Sequence, residues 1–216
     1  MYIAIEGVIG VGKTTLARLL QPSFDAETQF EVFEENPFLA DFYEDRARYA
    51  FQTQIFFLLR RYHQQRQAVK QTLKAGRNLL MDYTFSKDAL FAQVNLEGDE
   101  LEMYHRVHTA LGEKITTPDL VIYLQADPSV LMQRITRRDR PYERNMQVEY
   151  IELLNDAYNA YYSNQHDSMH ALTIECGELD FVRHAEHLNL IENRIKQALK
   201  LVPFQSELPL EVAGED

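Results

Sequence analysis

Eight residues near the start of the chain, Gly7-Val8-Ile9-Gly10-Val11-Gly12-Lys13-Thr14, have the types and spacing of a phosphate cradle. The pattern is a glycine, four residues, then Gly-Lys-Thr. Glycines let the backbone turn its N–H groups inward, which makes a concave anion site. A helix opening at Lys13 adds the positive end of its dipole. Lys13 supplies a mobile cation for the β- and γ-phosphates of a nucleoside triphosphate, the Thr14 hydroxyl is a ligand for Mg²⁺, and Thr15 extends the cradle. Short patterns recur by chance, so context decides. Here Tyr2–Ile5 reads as a strand before the loop and Lys13–Leu20 as a helix after it.

Two further stretches carry carboxylates where a phosphoryl-transfer site needs them. Glu31 and Glu34 belong to Glu31-Val-Phe-Glu34-Glu35-Asn36-Pro37, and Asp82 ends the apolar run Leu79-Leu80-Met81. Transfer to a hydroxyl requires a carboxylate that takes the hydroxyl proton and aims its oxygen at the γ-phosphate. It also requires an acid near the metal. A lone acid is usually a solvated surface charge, but Glu31 and Asp82 fall at expected strand ends. The residues leave open which of them accepts the proton.

These groups need a frame. Strands are expected at Tyr2–Ile5, Phe30–Phe33, Asn78–Met81, Leu120–Leu124 and Ala171–Ile174. Helical patterns separate them: Lys13–Leu20, Arg48–Leu73, Ser86–Val94, Asp99–Leu111, Ser129–Arg137, Gln147–Ser163 and Phe181–Leu201. Such alternation predicts an α/β fold with a five-stranded parallel sheet and helices on both faces. Ligands then bind beyond the carboxyl ends of the strands. Residues 1–202 read as one domain, and 203–216 as an acidic tail that frays.

Composition excludes several functions. The net charge of −11, from 33 acidic and 22 basic residues, disfavours a nucleic-acid polymer as partner. The single cysteine, Cys176, forms no internal disulfide, which fits a reducing compartment. No apolar run approaches the ~18–20 residues of a membrane span. A cytoplasmic protein without a membrane partner is expected. His105/His108 and His184/His187 share helical spacing but have no evident carboxylate or cysteine partner, so they read as surface positions rather than zinc ligands. A GTP-driven switch would carry Asp-x-x-Gly and a guanine-reading Asn/Thr-Lys-x-Asp, and neither occurs. A small-molecule kinase remains.

Over about residues 1–165 the chain resembles the deoxynucleoside kinases, in particular their bacterial deoxyadenosine/deoxyguanosine kinase branch. Five segments carry the likeness in order. They are Ile5-Glu6-Gly7 leading the loop; Glu31 through Glu34-Glu35-Asn36-Pro37-Phe38-Leu39 to Phe42-Tyr43; Arg48-Tyr-Ala-Phe51-Gln-Thr-Gln54 with Arg61; Met81-Asp82-Tyr83-Thr84-Phe85-Ser86-Lys87-Asp88; and Arg134-Ile-Thr-Arg137-Arg138-Asp139-Arg140-Pro141-Tyr142-Glu143.

The resemblance implies a P-loop kinase fold with an arginine-rich lid at about residues 134–146, and ATP with Mg²⁺ as cofactors. It makes Glu31 the carboxylate that meets the sugar's 5′-hydroxyl, with Glu34 as rival and Asp82 as metal ligand or alternative proton acceptor. Tyr43 and Glu143 then hold the 3′-hydroxyl, Gln54 pairs with the base, and Arg61 with Asp88 reads its far edge. Arg134, Arg138 and Arg140 are the lid cations that close on the phosphates. Animal relatives carry an arginine where this chain has Tyr83, and Lys87 is the nearest replacement for that charge. The implied reaction phosphorylates the 5′-hydroxyl of a 2′-deoxynucleoside, deoxyadenosine or deoxyguanosine first and deoxycytidine next, in a homodimeric enzyme. A thymidylate-type monophosphate kinase and a non-catalytic nucleotide-binding regulator are the other classes the loop admits.

Overall fold

Every strand in the fold is parallel to its neighbours, so each must be reached by a crossover. In the computed structural model, which describes residues 1–164 and 170–202, β1 (Tyr2–Glu6), β2 (Ala26–Gln29), β3 (Asn78–Met81), β4 (Leu120–Gln125) and β5 (Ala171–Glu175) form one sheet in the order β2-β3-β1-β4-β5. The acidic tail lies outside the described residues. Ala4 of the central strand sits opposite Met81 on one side and Val121 on the other. The chain therefore leaves β1, β3 and β4 along a common edge, and that edge carries the phosphate loop and Asp82.

Alternation along β1 and β3 shows why both faces need cover. Tyr2, Ala4, Leu79 and Met81 pack with Ala68 of α3 (Arg46–Thr72) in one small core. Ile3, Ile5 and Leu80 point to the main core, with Leu16 and Leu20 of α1 (Lys13–Leu20) and Ile191 and Ile195 of α8 (Ala185–Ala198). A strand's successive side chains point to opposite faces, and here both faces are apolar because both are covered. The remaining helices are α2 (Leu39–Glu44), α4 (Ser86–Asn95), α5 (Gly98–Gly112), α6 (Pro128–Arg138) and α7 (Val148–Asn164).

Three expectations change. The second strand is Ala26–Gln29, not Phe30–Phe33. It pairs only with β3 and forms the sheet's edge, so it needs no continuous apolar run. Phe30–Phe33 is the connection beyond it, and Phe33–Glu35 makes a short 3₁₀ turn. The last helix begins at Ala185 rather than Phe181, because the Asp180 carboxylate accepts hydrogen bonds from the Val182 and Arg183 amides and closes a turn there. The six-residue α2 has no counterpart in the expected pattern.

The 27-residue α3 serves both the core and the site. Asp45 caps its start by accepting from the Arg48 amide at 3.2 Å. Its buried stripe contains Thr53, Gln54, Phe57, Leu58, Arg61 and Tyr62. Of its buried polar residues, Thr53, Gln54 and Arg61 line the cleft.

Candidate active site

The phosphate loop is built on backbone that only glycine adopts without strain. Gly7 has φ +143°, and a Cβ there would lie 2.4 Å from the Leu124 carbonyl oxygen. Gly12 caps α1 in the left-handed region, and no side chain bonds the first amides of that helix. Those amides are free for an anion. Val8 and Val11 are buried and hold the loop to the core, while Ile9 and Thr15 border the openings on either side. Lys13 folds back over the loop and donates from Nζ to the carbonyls of Gly7 at 2.7 Å and Val8 at 3.0 Å. Burial, reinforced by the nearby Lys87, lowers the Lys13 ammonium to about 8.

Asp82 leaves β3 next to this loop. Its Oδ2 accepts from the Thr14 hydroxyl at 2.5 Å and its Oδ1 from the Glu31 amide at 2.8 Å. Burial raises the Asp82 carboxyl, and the Thr14 hydrogen bond opposes the rise. The Glu31 side chain is paired with Lys87 through one oxygen and Arg61 through the other. Burial alone would raise the Glu31 carboxyl, but the two cations win and hold it far below the usual range. Lys87 therefore lies in the cleft against Glu31.

A cleft opens beyond Glu31. Lys13, Thr14, Glu31, Asp82 and Lys87 line it together with Tyr43, Gln54, Phe57, Arg61, Tyr142 and Glu143. Gln54 is 2% exposed, and its Oε1 has no hydrogen-bond partner. A buried amide oxygen left unpaired is costly, so a ligand group belongs there. The Glu143 carboxylate is fixed by Arg138, whose Nη2 donates to both its oxygens at 2.7 and 2.6 Å. Arg140 lies over the Phe33 ring at 4.0 Å.

A second depression opens on the other side of the loop. Gly10, Val11, Thr15, Arg134, Arg137 and Arg138 line it together with residues 177–183. Arg138 borders both spaces.

Two expected site residues, Tyr83 and Asp88, do not line the cleft. Tyr83 is wholly buried in the small core, donates to Gln64 Oε1 at 2.9 Å and does not line the cleft. Asp88 is also fully buried and meets the site only through its ion pair with Arg61. Arg134 is a strut. Its guanidinium donates to the Val11 carbonyl at 3.1 Å and the Cys176 carbonyl at 2.9 Å, tying the phosphate loop to the segment after β5.

Some contributors carry no strong sequence signal of their role. Glu6, fully buried, accepts from the Gly7 amide at 3.2 Å, the Thr84 amide at 2.5 Å and the Tyr158 hydroxyl at 3.2 Å. It joins the loop, the turn after β3 and α7. Its one visible sign was a charge inside an apolar strand. Asn36 donates to the Thr53 carbonyl at 3.2 Å and accepts from the Phe38 amide at 3.0 Å, bracing the segment after Glu31 against α3. Among the described residues no group of three or more His, Cys, Asp and Glu gathers as a metal cluster, and no helix is long and apolar enough to cross a membrane.

Known proteins match this arrangement along nearly the whole chain. The sequence profile of the family described as "Deoxynucleoside kinase" matches residues 3–200. A deoxyguanosine kinase of Bacillus subtilis (strain 168) is 32% identical over 201 residues, covering 92% of this chain and 97% of that one. A deoxyadenosine/deoxycytidine kinase of the same organism is 28% identical over 208 residues, covering 93% and 92%. The structure of deoxyadenosine kinase from M. mycoides with products dCMP and a flexible dCDP superposes with a TM-score of 0.80 at 28% identity, over 91% of this chain and 100% of the other. The same enzyme with bound dATP gives 0.79. With the fold, the phosphate loop and these relatives in agreement, the protein is a phosphotransferase, and the chain belongs to the deoxynucleoside kinase family.

Proposed function

We propose that the protein transfers the γ-phosphate of ATP to the 5′-hydroxyl of a purine 2′-deoxynucleoside, deoxyadenosine or deoxyguanosine, in nucleotide salvage. The observation that carries this reading is the shared border of two spaces. Arg138 and the phosphate loop lie between a basic depression, suited to a nucleotide, and a cleft lined by Glu31, Asp82 and an unpaired Gln54.

The donor's phosphates lie along the loop amides and Lys13, which leaves the Gly7 and Val8 carbonyls to meet them. The acceptor's base lies toward Gln54 and Arg61, and its 3′-hydroxyl toward Tyr43 and Glu143. Its 5′-hydroxyl then meets Glu31. Glu31, kept ionised by Arg61 and Lys87, is a weak base that orients the hydroxyl more than it deprotonates it, which suits a loose transition state. Lys87 supplies the charge that Tyr83 does not. Arg138 and Arg140 neutralise charge spreading over the transferred group. The relatives named for deoxyguanosine and deoxyadenosine support the purine preference, and the M. mycoides structure with dCMP keeps deoxycytidine within range.

Thr14 and Asp82 fit Mg²⁺. They offer two hard oxygens at the mouth of α1, and Mg²⁺ takes one or two protein ligands and fills the rest of its octahedron with phosphate and water. Bound there, the ion would offset phosphate charge. We further read residues 1–202 as one catalytic unit acting in the cytoplasm as a homodimer. Exposed Leu59 on α3 and Met103 on α5 support a subunit contact.

An assay of ADP release from ATP and Mg²⁺ across deoxynucleosides, ribonucleosides and monophosphates tests the reading. Turnover highest with deoxyadenosine or deoxyguanosine is expected. Turnover of dTMP and of no nucleoside would place the protein with the monophosphate kinases.

A further inference from the structure

Three polar side-chain atoms bordering the acceptor cleft are buried without a hydrogen-bond partner: Thr53 Oγ1, Gln54 Oε1 and the Tyr142 hydroxyl. They are not equivalent. A threonine hydroxyl within a helix can rotate onto a carbonyl of its own preceding turn, so Thr53 has a local remedy. Gln54 already has a place in the reading above. Tyr142 has neither remedy nor role.

The Tyr142 ring cannot carry its hydroxyl elsewhere. It stacks on Tyr43 with centroids 6.0 Å apart and planes 18° apart, and meets the Phe33 ring edge-on at 6.0 Å. Along the chain it stands between Arg140, which lies over Phe33, and Glu143, which Arg138 pins through both carboxylate oxygens. These contacts lock the ring inside the 3₁₀ turn Pro141–Glu143 of the lid. Burial pushes the phenol up to about 12, so it keeps its proton at neutral pH and can donate as well as accept. A locked, neutral, unpaired hydroxyl at the wall of a ligand cleft is a group waiting for a ligand atom. Its two closest polar neighbours by stacking and sequence, Tyr43 and Glu143, belong to the sugar end of the cleft.

We infer that the Tyr142 hydroxyl hydrogen-bonds the 3′-hydroxyl of the acceptor sugar, which makes Tyr142 a specificity-determining residue carried by the lid. This rests on the deoxynucleoside kinase reading of the cleft. It adds a third group to Tyr43 and Glu143 and ties recognition of the sugar to the turn that directly follows Arg138, at the end of α6, and Arg140. An acceptor lacking the 3′-hydroxyl leaves the phenol unpaired, and is disfavoured for that reason in addition to its lost bond to Glu143.

The test compares wild type with Tyr142→Phe on deoxyadenosine and on 2′,3′-dideoxyadenosine, with ATP as donor and thermal melting as a control for folding. Loss of one net hydrogen bond predicts a fall of about tenfold in kcat/KM for deoxyadenosine. KM for ATP stays within about twofold, because the group touches no donor atom. Activity on the dideoxy acceptor is unchanged, so the preference for the 3′-hydroxyl narrows by the same factor. An equal fall on both acceptors, no fall on either, or a change confined to KM for ATP would overturn the inference. A wild-type enzyme inert toward every deoxynucleoside would instead overturn the functional reading beneath it.

Discussion

The Thr14 hydroxyl donates to one oxygen of Asp82 at 2.5 Å while the other accepts from the Glu31 amide at 2.8 Å. One carboxylate thus links the helix that opens the phosphate loop to the backbone of Glu31. In the proposed reaction that link sets the spacing between donor and acceptor. Asp82→Asn keeps the shape and one acceptor oxygen but removes the charge. Steady-state kinetics should show kcat lower by about a hundredfold or more, with KM for the deoxynucleoside nearly constant. A change in acceptor KM alone would mean that Asp82 only shapes the pocket.

Lys13 gives a pH prediction. Burial holds its folded value to about 8, so the free enzyme carries the charge below that pH and loses it above. ATP binding needs the cation. The pH profile of kcat/KM for ATP, which reports groups of the free enzyme, should therefore fall above about pH 8. The profile of kcat should hold to higher pH, because bound phosphates favour the charged lysine. Lys13→Arg should remove the alkaline fall in kcat/KM, whatever it does to the rate.

Arg134 and Arg138 belong to one basic segment but should separate kinetically. Arg134→Ala cuts the strut to Val11 and Cys176. It should raise KM for ATP by at least about tenfold and lower stability by about 1–3 kcal/mol in chemical denaturation. Arg138→Ala should lower kcat by a factor of about a hundred, and it should also cost stability because the buried Glu143 carboxylate loses its bidentate partner, while KM for ATP changes less than in Arg134→Ala. Identical profiles for the two variants would remove the distinction.

Lys87 can be tested by rescue. Lys87→Ala takes away a cation beside Glu31, and kcat should fall by about tenfold or more. Lys87→Arg should restore much of the rate. Unchanged turnover in the alanine variant would show that Lys87 does not replace the arginine missing at Tyr83.

Local chemistry was easiest to read. The phosphate loop is contiguous, and Gln54 and Arg61 share a cleft because seven residues on a helix return to nearly the same face. Single-residue alternation was harder. Tyr83 directly follows Asp82, and extended backbone sends neighbouring side chains opposite ways, so Asp82 meets the site and Tyr83 meets the core. The second strand escaped notice because an edge strand can be polar, while the apolar run beside it serves the cleft. The strut contacts of Arg134 are not legible in the sequence because its carbonyl partners, Val11 and Cys176, lie far away in it. Glu6 is similar: its charge was visible, but Thr84 and Tyr158 gather round it only in the fold.

The identity of the product tests the central claim most directly. ATP, Mg²⁺ and deoxyadenosine or deoxyguanosine are incubated with the enzyme, and the product is resolved by mass spectrometry and phosphorus NMR. The account predicts one phosphate added, at the 5′-oxygen, with stoichiometric ADP and much less product from the matching ribonucleosides. A phosphate at the 3′-oxygen, or ADP formed with no phosphorylated nucleoside, would contradict it.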